Sequence, residues 1–463
     1  MPLWTLDELL NATGGAAQAC AVAAFDGVSI DSRDVSQGDV FVAIKGDRFD
    51  GHDFVATALD NGAGIAVVSK SWVNETQSSQ SLLMVDDPLV AMEQLAFAAR
   101  KRCKGKIVAV TGSVGKTSTK EAIRLVLEAA GKTHASIKSF NNHWGVPLML
   151  SRMPRDTEFG VFEVGMSHAG EIGPLAKMIS PHVAVITNVG EAHLENFEDI
   201  SGIADAKSEV FAGLLSGGRA IVGVDHPCAE LLLENAEKTN VQDVLTVGFS
   251  EQAQVRIENS KLYASTFKAE VTWSNQRFDL QVPQLGRHAL SNAAVALLVS
   301  ESLGLDVETT LNALQSFVAP SGRGAVIELN IEDGSATLLD ESYNANPVSM
   351  RAALGILGDV EATGRKIAVL GDMLELGDGS AQIHETLMAD VVASGAQKLY
   401  LVGPQMRHLN AKLVEITDVE YLENTAGLGE KLISTLANGD VVMVKGSNGI
   451  GLGPIVEQLK SAL

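Results

Sequence analysis

From residue 107 onward, short apolar runs of strand length alternate with stretches whose apolar positions recur at helical spacing. Runs at 107–110, 160–164, 183–188, 220–224 and 245–249 read as strands, with helices between them, including one over 203–214. Strand–helix alternation of this kind predicts a doubly wound parallel sheet. Over 254–284 the apolar period shortens to that of a strand, through Val255, Ile257, Leu262, Val271, Trp273 and Phe278. A small antiparallel sheet is expected there, followed by helices over 288–303 and 307–317. After Ala319-Pro320-Ser321-Gly322 the alternation resumes, with strands expected at 337–339, 367–370, 399–402 and 441–444. The first part of the chain reads as a smaller unit, with strands at 28–30, 40–44 and 65–68, a helix near 54–59 and turns at Gly46, Asp50-Gly51 and Asn61-Gly62. Asp86-Asp87-Pro88 marks a boundary, followed by an alanine-rich helix to Arg100. The fold class is therefore α/β in three domains: a small α/β domain over 1–86, a central doubly wound parallel sheet with a small antiparallel sheet over 87–321, and a Rossmann-like domain over 322–463.

Composition agrees with this division. The 463 residues exceed one ordinary core, and 46% are hydrophobic, enough for several. The formal charge of −22 argues against a nucleic-acid partner. One basic cluster, Arg100-Lys101-Arg102 with Lys104 and Lys106, falls where a helix should end, so it is read as complementing a helix dipole. Three scattered cysteines, Cys20, Cys103 and Cys228, fit reduced thiols rather than a disulfide framework. No signal-peptide pattern and no membrane-spanning apolar run is evident, so a cytoplasmic protein without membrane insertion is expected.

The chemistry begins at Thr111-Gly112-Ser113-Val114-Gly115-Lys116-Thr117-Ser118, which joins the first central strand to a helix. Glycine turn and helix N-terminus together make a phosphate cradle, with Lys116 on the terminal phosphates and the Thr117 hydroxyl on magnesium. Val110 stands where the common form of this loop has its first glycine. Ligands in open parallel sheets sit beyond the carboxyl ends of the strands. Glu163, Asn188 and His193 all fall at that edge. Thr117 and Glu163 are the oxygen donors that magnesium takes. His193 is a softer ligand, which either binds a second ion or caps its loop. Lys207, early in a helix, reads from its own surroundings as solvated.

The loop, the Glu163 strand, Ala192-His193 and Ala206-Lys207-Ser208-Glu209 resemble the Mur ligases in order and spacing. The stretches Asp340–Pro347 and Leu370–Gly377 resemble the D-alanyl-D-alanine-adding branch of that family. Asp31-Ser32-Arg33, Gly38–Ala43 and Phe49–His52 resemble its UDP-substrate domain, so the likeness runs through all three domains. The resemblance implies an ATP-dependent, ADP-forming amide ligase that acts through an acyl phosphate in peptidoglycan precursor synthesis. It implies ATP and Mg2+ as cofactors and UDP-N-acetylmuramoyl-tripeptide and D-alanyl-D-alanine as substrates, bound by a monomer. It implies nucleotide contacts from Gly112, Ser113, Val114, Gly115, Lys116, Thr117, Ser118, Asn292, Arg323 and Glu341. Metal contacts would come from Thr117, Glu163, His193 and Lys207, the last as a carbamate. Lys116, Lys207 and His193 would be catalytic, although a water or the departing phosphate are alternatives to His193 as base. Substrate contacts are implied from Ser32, Arg33, Lys45, Gly46, Asn141, Asn142, Tyr343, Asn344 and Asn346. Two positions depart from the family pattern: Glu341 replaces an aspartate, and Asn448 stands where an arginine is frequent. The competing readings are another amino-acid-adding Mur enzyme, a folylpolyglutamate synthase, or a regulatory P-loop nucleotidase.

Overall fold

The computed structural model describes residues 1–463 except 47, 75, 76, 78, 138, 193, 240, 242, 264, 265, 275 and 416. The first unit is a five-stranded sheet in the order Ala16–Gln18, Leu82–Val85, Ile65–Ser69, Val40–Val42, Val28–Ser29. The expected strands are present: those at 28–30 and 40–44 are shorter at their ends, and the one at 65–68 extends to Ser69. Helix Leu6–Thr13 and the strands Ala16–Gln18 and Leu82–Val85 are additional. Thr5 and Glu8 cap that helix reciprocally, and Gly14 ends it at φ 62°.

Helix Pro88–Arg102 starts on the Asp87 carboxylate, which accepts from the amides of Leu89 (2.7 Å) and Val90 (3.2 Å). Its Ala91, Met92, Leu95 and Ala99 pack into the core of the first unit, whereas Ala96 packs beneath the central sheet. One helix therefore serves two cores. The basic run at its end does more than complement its own dipole. Arg100 donates to the carbonyls of Ile179 (2.6 Å) and Ser180 (2.8 Å), satisfying the end of a different helix, Ile172–Ile179. The Arg102 guanidinium stacks 4.0 Å over the Trp4 ring.

The central sheet has nine strands. Its parallel part runs Thr133–Ala135, Phe159–Glu163, Lys106–Thr111, Val183–Ile186, Arg219–Gly223, Asp243–Gly248. The antiparallel strands Val255–Tyr263, Thr266–Trp273 and Gln276–Val282 are hydrogen-bonded onto its edge, since Val255 pairs with Val247. From the first strand the chain moves outward, returns to Phe159–Glu163, and then crosses to Val183–Ile186 on the other side. A switch of direction of this kind opens a crevice at the strand ends. Helix Ile200–Ser208 gives way to a 3-10 turn over Glu209–Gly213, so the single helix expected over 203–214 is two pieces.

The third sheet has the order Ala325–Ile331, Gly334–Glu341, Val441–Lys445, Lys366–Gly371, Lys398–Val402, Asp418–Leu422, antiparallel only at its first pair. Among the described residues no helix is long and apolar enough to cross a membrane.

Candidate active site

Parallel register brings the site together. Glu163 pairs with Val110, and Ile186 with Thr111, so the P-loop, the Glu163 carboxylate and residues 187–190 leave the sheet at one edge. The loop is held tightly there. Ser113 N–H donates to the Asn188 carbonyl (2.8 Å), and the Thr187 hydroxyl donates to the Val114 carbonyl (2.5 Å). Gly112 lies at φ 148°, and a Cβ on it would sit 2.0 Å from Thr187 Oγ1. Only glycine fits this approach. Gly115, at φ 87°, then turns the chain into helix Lys116–Glu128.

At that helix start, Lys116 Nζ donates to the Gly112 carbonyl (2.7 Å). Burial lowers its pKa and the nearby Arg323 adds to this, while Glu163 works against it. The Thr117 hydroxyl donates to Glu163 Oε2 (2.9 Å), and Asn141 Nδ2 donates to Oε1 (2.7 Å). Glu163 is buried with both oxygens aligned by neutral donors. Lys207 is only 2% exposed, which overturns its reading as a solvated side chain. No carboxylate offsets the burial of its ammonium among the described residues. Burial, reinforced by the positive charge of Lys116, drives its pKa well down.

The edge opens into a cavity of about 620 Å³ whose walls come from both the central and the third sheet. On one side, Asn292 Oδ1 accepts from the Thr119 hydroxyl (2.9 Å), while its buried Nδ2 has no partner. A buried amide left unsatisfied in an open cavity is a ready donor to a bound ligand. Thr111 Oγ1 and Asn188 Oδ1 are likewise buried and unpartnered. On the opposite side lie Arg323, Glu341 and Tyr343. Lys445, 3.6 Å from Glu341, donates to the Asn344 carbonyl (3.0 Å). Burial lowers its pKa although Glu341 opposes this. The longer side chain at position 341 thus retains a cationic partner.

The remaining expected residues divide. Asn141, Asn142, Asn344 and Asn346 line the cavity with P-loop residues Ser113 to Ser118, whereas Gly112 is not part of its lining. Two of them also have local duties. Asn142 Oδ1 accepts from Gly145 N–H (2.9 Å), and Asn346 caps helix Pro347–Asp359. Ser32, Arg33, Lys45 and Gly46 lie in the first unit, away from this cavity. Arg33 is pinned to Asp31 (2.7 Å) but its side chain is 86% exposed. His193 lies outside the described residues. Among the described residues no three His, Cys, Asp or Glu side chains cluster to hold a metal. Thr187, Lys445 and Ser139 are absent from the sequence-based set, because their roles depend on loops that meet only in the fold.

Family models match in three consecutive stretches: a Mur ligase family catalytic domain over 24–96, a Mur ligase middle domain over 110–300, and a Mur ligase glutamate ligase domain over 322–448. A UDP-N-acetylmuramoyl-tripeptide–D-alanyl-D-alanine ligase of Rickettsia prowazekii is 33% identical across 93% of this chain and 94% of its own length. The chain belongs to the Mur ligase family. Its fold agrees: a MurF of Acinetobacter baumannii superposes with a TM-score of 0.86 at 29% identity, covering 99% of both chains. A MurF ligase of Thermotoga maritima, in complex with ADP, gives 0.79 at 27% identity over 94% of this chain and 98% of that one. The Mur ligase middle-domain match contains the P-loop, Glu163, Lys207 and Asn292, and the glutamate-ligase match contains Arg323 and Glu341.

Proposed function

We propose that this Mur ligase joins D-alanyl-D-alanine to UDP-N-acetylmuramoyl-tripeptide, with conversion of ATP to ADP, at the cytoplasmic stage of peptidoglycan precursor synthesis. The names of its relatives and the ADP complex of one structural neighbour support the reading. The observation that carries it is the cavity itself, where Lys116 and Arg323 face each other across the P-loop edge beside Glu163 and Thr117.

The reaction must bring two anions together, a carboxylate and a triphosphate, so it needs concentrated positive charge. Lys116 and Arg323 supply it from the two walls. Thr117 and Glu163 offer the hard oxygen donors suited to Mg2+, which when bound would neutralise phosphate charge. Lys207, a buried amine with no acidic neighbour, has the uncharged character that reaction with carbon dioxide requires; the carbamate would add an anionic oxygen pair. Asn292 presents its free Nδ2 to the base of the nucleotide. Asn141 and Asn142 border the path of the tripeptide carboxylate, and Tyr343, Asn344 and Asn346 border the opposite wall. Phosphoryl transfer makes the tripeptide carboxylate an acyl phosphate, and attack by the dipeptide amine releases phosphate and forms the amide. The surface of the first unit that exposes Arg33, Lys45 and Gly46, with Ser32 buried beneath it, is assigned to the UDP end. Such a division, with the third unit completing the nucleotide site, suits an ordered reaction.

Phosphate release from ATP, measured with UDP-N-acetylmuramoyl-tripeptide, tests the proposal. Release should depend on D-alanyl-D-alanine. Release indifferent to the dipeptide would sink the assignment.

A further inference from the structure

Arg323 and Lys445 are cations that the third unit contributes to the cavity beside the P-loop, and whereas Lys445 pairs with Glu341, no carboxylate orients Arg323. Glu341, a carboxylate of the same wall, lies with Lys445 (3.6 Å). What holds Arg323 is a ring: its Cζ lies 4.1 Å above the centroid of Tyr343. A stacked guanidinium keeps its five N–H donors free at the rim for a phosphate while losing much of its torsional freedom.

The Tyr343 ring is itself fixed from two directions. On its own side, the Asp340 carboxylate accepts from Gly322 N–H (2.7 Å) and from Ser342 N–H (3.2 Å) and Oγ (2.6 Å). Tyr343 N–H closes the loop onto the Gly322 carbonyl (3.1 Å). Gly322 lies at φ 74°, and a Cβ there would meet Tyr343 Cβ at 2.8 Å, so the turn carrying Arg323 and the start of the Tyr343 loop are packed as one piece. Across the cavity, the Tyr343 hydroxyl meets Ser139 Oγ at 2.5 Å. Ser139 belongs to the segment between strand Thr133–Ala135 and helix Gly145–Ser151, two residues from the Asn141 that bonds Glu163. That segment is in turn tied to the P-loop helix, where the buried Lys120 donates to the Ser136 carbonyl (2.6 Å).

We propose that Tyr343 is a positioning residue for Arg323: its ring aims the guanidinium at the terminal phosphate, and its hydroxyl does so only when docked on Ser139. The inference rests on the nucleotide reading of the cavity given above. A substrate contact is not needed to explain Tyr343, because both its face and its hydroxyl are already engaged by protein. Docking of the third unit and orientation of its arginine become one event.

Affinities of a non-hydrolysable ATP analogue and of ADP, measured by calorimetry in the presence of magnesium, separate the possibilities. Tyr343→Phe and Ser139→Ala should each weaken the analogue about fivefold, and the double variant should be no worse than either alone. Tyr343→Leu, which also loses the ring, should weaken the analogue about tenfold or more, with ADP changed less than about twofold. Additive effects of the two single changes would overturn the coupling. Equal losses for ADP and analogue would overturn the arginine-aiming role, as would a higher KM for D-alanyl-D-alanine confined to the Tyr343 variants. Wild-type protein that binds neither nucleotide would instead overturn the nucleotide reading of the cavity.

Discussion

At the residue scale, burial decides more than residue type. Lys116 and Lys207 are both lysines with pKa values lowered chiefly by burial, but Lys116 has the Glu163 charge to offset this and Lys207 has none. The uncharged form of Lys207 is therefore the one favoured in the fold, a condition for carbamate formation. Lys207→Ala should lower the ligation rate by ~100-fold or more, in the range expected for losing a charge-stabilising group. Added short carboxylic acids should partly restore the rate in a phosphate-release assay. A fully active variant would refute a carbamate at this position. No spacing in the sequence marks Lys207 as buried, because its burial is fixed by how helix Ile200–Ser208 packs in the fold.

At the element scale, the first central strand is anchored at both ends. At its carboxyl end the P-loop is locked by Thr187 and Asn188; at its start, Ile107 N–H donates to His182 Nδ1 (3.0 Å). That bond requires an unprotonated Nδ1. Burial, helped by Lys106 and Arg100, depresses the His182 pKa from 6.5 to about 4. The unfolded chain then takes up this proton at a higher pH than the folded one. The contribution is complete above pH 6.5 and falls away as the pH drops toward about 4. Melting temperatures across that interval should decline less steeply for His182→Asn, whose amide oxygen accepts the same bond without titrating. An identical slope would show that His182 is not a source of acid sensitivity. The strands on either side of this histidine were legible as apolar runs, because a strand buried on both faces carries no polar interruption. The short strands Ala16–Gln18 and Thr133–Ala135 were not, since pairing with neighbours, and not their own pattern, makes them strands.

At the scale of the whole molecule, the first and central units are joined by side chains that belong to both. Trp4, 1% exposed, donates from Nε1 to the Ser151 carbonyl (2.9 Å) and carries the Arg102 guanidinium on its face. Arg152 donates to the Val28 carbonyl (2.5 Å), Arg155 reaches the Pro2 carbonyl (2.9 Å), and Arg155 also pairs with the Glu8 that caps the first helix. Trp4→Ala should destabilise the protein by about 3–5 kcal/mol, read from denaturant unfolding. It should lower the stability of both units together; loss confined to the first unit would show that the two unfold independently.

The sequence by itself determined the alternation of strands and helices, the P-loop and its phosphate chemistry, and the family signatures at Asp340–Pro347 and Leu370–Gly377. These are local properties: periodicity follows from side-chain direction along an element, and a phosphate loop from one glycine turn before one helix. Tertiary structure alone decided that Lys207 is buried without a counter-charge, that the antiparallel strands extend the central sheet, and that Tyr343 meets Ser139 across the cavity. Each of these depends on surfaces brought together from distant parts of the chain, and burial and electrostatic environment exist only once those surfaces have met.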